Sequence, residues 1–173
     1  MIRLAEPVDI ENLQQIERAA NAIFAEFGMA EVADLPADST EEFTRYITAG
    51  RAWVETDGSA EIPVGFILLN VVDGAAHIDQ VSVDPIQARR GIGRRLIEAV
   101  AAWARAAGLP ALTLTTFVDV PWNAPYYERL GFRRLADDEL GPGQLRIRDH
   151  NAGTILGGWP RVAMWRPVSA PSS

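Results

Sequence analysis

From Val81 to Gly93 the chain reads VSVDPIQARRGIG, a run suited to holding an anion. A short apolar segment stops at Asp84-Pro85, Gly91 and Gly93 flank Ile92, and Arg89, Arg90, Arg94 and Arg95 crowd the same turn. A helix start leaves backbone N–H groups without intrahelical acceptors and carries partial positive charge, so a diphosphate there meets amides and dipole together. Glycine has no Cβ to keep such a ligand away, and guanidinium grips phosphate through paired bonds. A Walker loop would need GxxxxGK followed by Ser or Thr, which is absent. A dinucleotide fingerprint would need GxGxxG, and Leu96 stands where the third glycine belongs. A tight strand-to-helix turn with a solvated basic face explains the same residues without any ligand.

The neighbouring elements must position this run. Ile2–Leu4 reads as a short strand and Pro7-Val8-Asp9 as the entry to a helix. On it Ile10, Leu13, Ile16, Ala20, Ile23, Phe24 and Phe27 recur at core-facing spacing before Gly28 stops it. Met29–Asp38 lacks periodicity and contains Pro36, so a loop is expected. Ser39-Thr40-Glu41-Glu42 fits a capping box for a second helix carrying Phe43, Tyr46 and Ile47, which ends near Gly50. Arg51–Glu55 and Ile62–Val72 read as strands joined through Asp57-Gly58-Ser59, and Asp73-Gly74 turns tightly into a third from Ala75 to Val83. Gly91–Ala107 is the helix behind the basic turn, with Ile92, Leu96, Val100, Trp103, Ala104 and Ala107 as its apolar stripe. Ala111–Thr116 alternates Leu112 and Leu114 against Thr113 and Thr115, the pattern of a half-buried strand. Pro121-Trp122-Asn123 opens a short helix through Leu130, and Gly131-Phe132 closes it. The glycine-rich stretch Asp137–Pro160 admits one short helix around Gln144–His150, Arg161–Arg166 is a final strand, and residues 169–173 are expected to fray. Helices and strands interleave without repeat or linker, so one α/β domain over residues 1–168 is expected.

At 173 residues the chain can bury one sizeable core. A net charge of −7 argues against a nonspecific nucleic-acid binder despite the local arginines. The acidity is uneven. From Ala5 to Glu42 the only basic residue is Arg18, while Glu26, Glu31, Asp34, Asp38, Glu41 and Glu42 accumulate. A site bordering that segment would prefer cations, and a solvated acidic face is the equal alternative. There is no cysteine, which removes disulfides, thiolate metal sites and a cysteine nucleophile. With only His77 and His150, clustered zinc ligation is close to excluded, and no metal is expected. The start, MIRLAEPVDIENL, is charged too early for a secretory signal, and no apolar run reaches the roughly 18 residues of a membrane span. A cytoplasmic protein without a membrane partner is expected.

Strand, basic GxG turn, long helix, strand, then Asn and Tyr ahead of Leu-Gly-Phe: this order resembles the GNAT superfamily of N-acetyltransferases. Two pieces carry the resemblance, VSVDPIQARRGIGRRL and NAPYYERLGF. It implies a mixed, mostly antiparallel central sheet flanked by helices, split where an acyl arm lies, and acetyl-CoA as co-substrate. It further implies that Val81, Ser82 and Val83 meet the pantetheine arm through their backbone. The amides of Arg89, Arg90, Gly91, Gly93 and Arg94 would bind the pyrophosphate. Asn123 would contact pantetheine or hold neighbouring strands apart, and Tyr127 would sit beside the thioester sulfur. One position departs from the family: Gln or Arg commonly stands three residues before the first glycine, and here that residue is Ala88. A grip made mainly by backbone amides tolerates that change, with Arg89 and Arg90 as compensation.

Direct acyl transfer needs a neutral amine, an oxyanion donor and an acid for the departing thiolate. Tyr127 suits the last role because a phenol with pKa about 10 stays protonated at neutral pH; its plain reading is an aromatic packed on Phe132. A backbone N–H near Ser82 is the natural oxyanion donor. Asn123 also fits a helix N-cap, with Pro125 in the first turn. His77 shares a strand face with Asp79 and can accept a proton near neutral pH. A packed strand histidine is the plainer reading, and a bulge near Gln80 would reverse the parity. Trp122 and Trp159 are candidates for acceptor contacts, Trp53, Trp103 and Trp165 for the interior. The expected function is acetyl transfer from acetyl-CoA directly to a primary amine, a small or cationic molecule, with no acyl-enzyme; the absence of cysteine and of a GxSxG elbow argues against a ping-pong route. A catalytically silent acyl-CoA-binding regulatory module is the alternative on the same fold. An RNA-associated module using the arginines would instead show steep salt dependence. A homodimer would form through Trp159 or the final strand.

Overall fold

The computed structural model describes residues 1–168; the tail expected at 169–173 lies outside the described residues. The strands are β1 (Ile2–Leu4), β2 (Ala52–Thr56), β3 (Pro63–Val72), β4 (Ala75–Val83), β5 (Ala111–Phe117), β6 (Arg133–Arg134) and β7 (Arg161–Pro167). They form one sheet in the order β1-β2-β3-β4-β5-β7-β6. β1 with β2, β2 with β3, β5 with β7 and β7 with β6 pair antiparallel. β4 and β5 are parallel, with Ala76, His77 and Ile78 opposite Leu112, Thr113 and Leu114. The helices are α1 (Ile10–Ala22), α2 (Ala30–Ala33), α3 (Thr40–Thr48), α4 (Ile92–Ala106), α5 (Ala124–Arg129) and α6 (Pro142–Ala152). This is the mixed, mostly antiparallel sheet flanked by helices that the resemblance implied. The chain gathers into two compact units, Met1–Leu69 with Asp79–Ala99, and Asn70–Ile78 with the chain from Val100 onward.

In the first unit, α1 buries Ile10, Leu13 and Ile16 on one stripe, and α3 buries Phe43 edge-to-face on Phe66 of β3, ring centres 5.5 Å apart. Burying a side chain of this size contributes roughly 2–3 kcal/mol. The capping box forms as expected: Ser39 Oγ accepts from the Glu42 amide at 3.1 Å, and Glu42 Oε2 from the Ser39 amide at 3.0 Å. Two expectations need correction. The first helix tightens into a 3₁₀ turn over Ile23–Phe27, which leaves Phe27 49% exposed and outside the core. Met29–Asp38 is not all loop, because α2 makes one helical turn within it. Gly65 of β3 marks a close approach: a Cβ there would lie 2.8 Å from Ile92 Cγ2 and 3.2 Å from Ser82 O.

In the second unit, Asp73 and Gly74 supply the two left-handed residues of a tight hairpin turn, φ 51° and 75°. The Asp73 carboxylate then accepts from the Gly143 amide at 2.8 Å and the Gln144 amide at 3.0 Å, capping α6. β5 is not half-buried as its alternation suggested. It lies between β4 and β7, and Thr113 and Thr116 are 4% and 6% exposed, their hydroxyls bonded to His77 and Asn123. β6, two residues long, left no pattern to read in the sequence. Among the described residues no helix is long and apolar enough to cross a membrane.

Candidate active site

The basic turn lies in the first unit. Asp84 leads the chain out of β4, its Oδ1 accepting from the Ile86 amide at 3.0 Å, and a 3₁₀ turn over Pro85–Gln87 follows. Arg89 and Gly91 both adopt left-handed backbone, φ 63° and 75°, and a non-glycine held there costs roughly 1–2 kcal/mol. Backbone of this kind builds anion-binding concavities. The first bond of α4 runs from the Arg95 amide to Gly91 O at 3.0 Å, so the amides of Ile92, Gly93 and Arg94 stand ahead of it with no acceptor inside the helix. The arginines divide on folding. Arg95 forks onto buried Glu55 through Nε and Nη2 at 2.6–3.1 Å and donates from Nη1 to Arg90 O at 2.8 Å. It clamps the loop, while Arg89, Arg90 and Arg94 are exposed. Arg90 also bonds Gln87. Val81, Ser82 and Val83 end β4, and Ser82 Oγ accepts from Gln80 Nε2 at 3.1 Å.

Tyr127, Asn123 and His77 lie in the second unit. The Tyr127 ring is 8% exposed, edge-to-face with Tyr126 at 5.4 Å and Phe132 at 5.9 Å, so the packing reading holds for the ring. Its hydroxyl oxygen is not among the buried polar atoms left without a partner. Burial, helped by the neighbouring Tyr126, pushes the phenol above its ordinary pKa, and it stays a proton donor across the neutral range. Asn123 occupies the N-cap position of α5, but its side chain makes no capping bond. Instead Oδ1 accepts from Thr116 Oγ1 at 2.6 Å, and Nδ2 is buried without an acceptor, which corrects the capping expectation. His77 is 2% exposed, with Nδ1 2.8 Å from Thr113 Oγ1 across the parallel pair.

The acidic segment also divides. Glu26, Glu31, Asp34 and Glu41 are solvated. Asp38 and Glu42 instead gather with Glu17 and Asp79: Glu17 Oε2 accepts from the Asp38 amide at 2.8 Å, and Tyr46 donates to Asp79 Oδ2 at 2.8 Å. Burial first, then the charges of Glu17 and Glu42, pushes the Asp38 carboxyl up to about 7. Burial likewise raises Glu17. Of the tryptophans Trp53 is buried, while Trp103, Trp122, Trp159 and Trp165 are half-buried, so exposure does not single out an acceptor contact.

The family model described as "Acetyltransferase (GNAT) family" matches residues 13–132. The chain belongs to the GNAT acetyltransferase family. It is 31% identical over 80 residues to the S-(2-succino)cysteine N-acetyltransferase of Bacillus subtilis (strain 168), a match spanning 43% of this chain and 46% of that protein. Its fold resembles the N-acetylglutamate synthase of Neisseria gonorrhoeae complexed with coenzyme A and N-acetyl-glutamate, with TM-score 0.71, 21% identity, 98% of this chain and 35% of that one. It also resembles the PaiA N-acetyltransferase of Thermoplasma acidophilum in complex with coenzyme A, with TM-score 0.69, 15% identity, 96% of this chain and 98% of that one. Within this GNAT chain, sequence reasoning missed Glu55, Thr116 and Glu17. Glu55 had a usable signal, a lone carboxylate inside the apolar strand AWVET; the other two acquire their partners only through folding.

Proposed function

We propose that this GNAT protein transfers acetyl from acetyl-CoA directly to a primary amine. The observation that carries the reading is the buried Tyr127, whose hydroxyl is held protonated across the neutral range beside Tyr126 and Phe132. A phenol that keeps its proton across the neutral range can donate it to a departing thiolate. The loop fits the co-substrate's diphosphate: left-handed backbone at Arg89 and Gly91, amides of Gly93 and Arg94 ahead of the first helical bond, and exposed Arg89, Arg90 and Arg94. Bound acetyl-CoA supplies an activated acyl group, and the residues of this chain hold it and move protons around it. The backbone of Val81, Ser82 and Val83 takes the pantetheine arm, Ser82 N–H is the oxyanion donor, and Asn123 Nδ2 meets a pantetheine carbonyl. The names of the similar proteins, N-acetyltransferases or a synthase of an N-acetyl amino acid, support the same class.

An amine arrives at neutral pH mostly as ammonium and must lose a proton before it attacks. The cluster of Asp38, Glu42, Glu17 and Asp79 favours a cation, which supports a small amine acceptor. Asp38, with a carboxyl near 7, is the base we assign in preference to His77, which is 2% exposed in the sheet. The test is calorimetric titration of acetyl-CoA together with a panel of amines assayed for CoA release. Micromolar binding with turnover of at least one amine is expected. No heat up to millimolar acetyl-CoA refutes the reading, and binding without turnover of any amine gives a silent acyl-CoA-binding module.

A further inference from the structure

Arg161 opens β7 opposite Phe117, the last residue of β5. Its Nη2 donates to Thr115 O at 3.1 Å, its guanidinium lies 4.7 Å from the centre of the Phe117 ring, and its Nε is buried without an acceptor. Among the described residues no carboxylate pairs with it. Burial lowers its pKa to about 10, so it is still charged at neutral pH. The protein thus offers one carbonyl and one aromatic face to a group with five N–H donors. A half-buried cation with no counter-ion, one N–H buried without an acceptor, is open to an anion that would complete it.

Its place in the sheet says which surface it serves. Directly paired residues share a face, and residues two apart along a strand share it too. Arg161, Phe117, Thr115 and Thr113 therefore line one face, and His77 joins the row through its bond to Thr113. Thr116, which binds Asn123, faces the other way. Arg161 ends the row that begins at His77, at the point where β5 gives out.

We propose that Arg161 receives a carboxylate of the acceptor, and that the acceptor is an amine of the amino-acid class. The planar fork matches the two oxygens of a carboxylate, whereas a phosphate would bring more negative charge than this one cation offsets. The word acceptor rests on the acetyl-transfer reading above; the anion site stands on the geometry of Arg161 alone.

The test separates the two. N-acetylalanine and N-acetylalaninamide, alike except for the carboxylate, are titrated into wild type, Arg161→Met and Arg161→Lys, with acetyl-CoA and inorganic phosphate titrated separately. Amino acids and their decarboxylated amines are compared in the CoA-release assay. In wild type the carboxylate should favour binding and kcat/KM by on the order of 100-fold. In Arg161→Met that preference should fall to within about threefold and in Arg161→Lys to an intermediate value, with acetyl-CoA affinity unchanged. Arg161→Met should melt within a few degrees of wild type, since an apolar chain replaces a half-buried charge that has no counter-ion. No carboxylate preference in wild type, the same preference in Arg161→Met, or phosphate bound more tightly than carboxylates overturns the proposal. Arg161-dependent carboxylate binding without any acetyl-CoA heat would sustain the site and sink the acetyl-transfer reading.

Discussion

Tyr127→Phe separates chemistry from packing in this protein. The ring makes its edge contacts with Tyr126 and Phe132, and no bond from its hydroxyl is seen among the described residues. Removing the oxygen therefore leaves no buried partner unmet, and stability should stay within about 0.5 kcal/mol of wild type. Acid catalysis is worth about 10²–10⁴ in rate, equivalent to ~2.7–5.5 kcal/mol of barrier. CoA release at saturating substrates should fall by that factor while acetyl-CoA affinity holds within about twofold. Because burial raises the phenol above its ordinary range, no loss of wild-type rate up to pH about 9 should trace to this group. A Tyr127→Phe enzyme within about threefold of wild-type kcat refutes the assignment. A stability loss beyond about 2 kcal/mol would show that the hydroxyl is bonded inside the fold, and its assignment as a free acid would fail with it.

Glu55→Gln loosens the clamp that Arg95 makes on the loop; with Arg95 51% exposed the stability cost should be only ~1 kcal/mol, while acetyl-CoA affinity drops about tenfold at unchanged kcat, read by calorimetry and saturation kinetics. Asp38 keeps its proton to about 7 in the fold against an ordinary 3.8, so the folded state binds the extra proton between those values and stability falls as pH rises through the window. The full shift would be ~4 kcal/mol, and discounting for partial exposure leaves ~1–2 kcal/mol. Asp38→Asn should flatten that slope in urea melts at pH 5 and 8 and remove the acid limb near 7 from the pH–rate profile. Gly65→Ala forces Ile92 aside and should cost ~1–3 kcal/mol, with a favourable coupling to Ile92→Ala in a double-mutant cycle; additive effects would refute the close approach.

The elements legible in the sequence are those whose signals are local. Ser39 and Glu42 sit three apart and cap α3 as read; Asp73-Gly74 makes the tight turn as read, and β4 spans the range its pattern gave. The basic turn was also legible, because glycines, arginines and the helix that follows are contiguous. What stayed hidden depends on partners distant in the chain. Thr113 and Thr115 gave β5 the look of a half-buried strand, since nothing local says that His77 and Asn123 wait to satisfy threonine hydroxyls on both faces. Asn123 reads as a cap from its neighbours, but Thr116 takes its oxygen first.

Charge shows the same division and carries the argument further. Counted along the sequence, Arg89 to Arg95 is a basic patch and Glu26 to Glu42 an acidic one, and each admits a purely solvated reading. Folding sorts both. Arg95 is spent on Glu55, which leaves Arg89, Arg90 and Arg94 as exposed cations beside amides that precede the first bond of α4. Four of the six acids go to solvent, while Asp38 and Glu42 join Glu17, and burial, with the neighbouring carboxylates, carries the Asp38 pKa up to about 7. The charges that matter are thus the ones folding leaves uncompensated. By that criterion Arg161, an isolated arginine with no sequence signal at all, ranks with the loop, because no carboxylate among the described residues answers it.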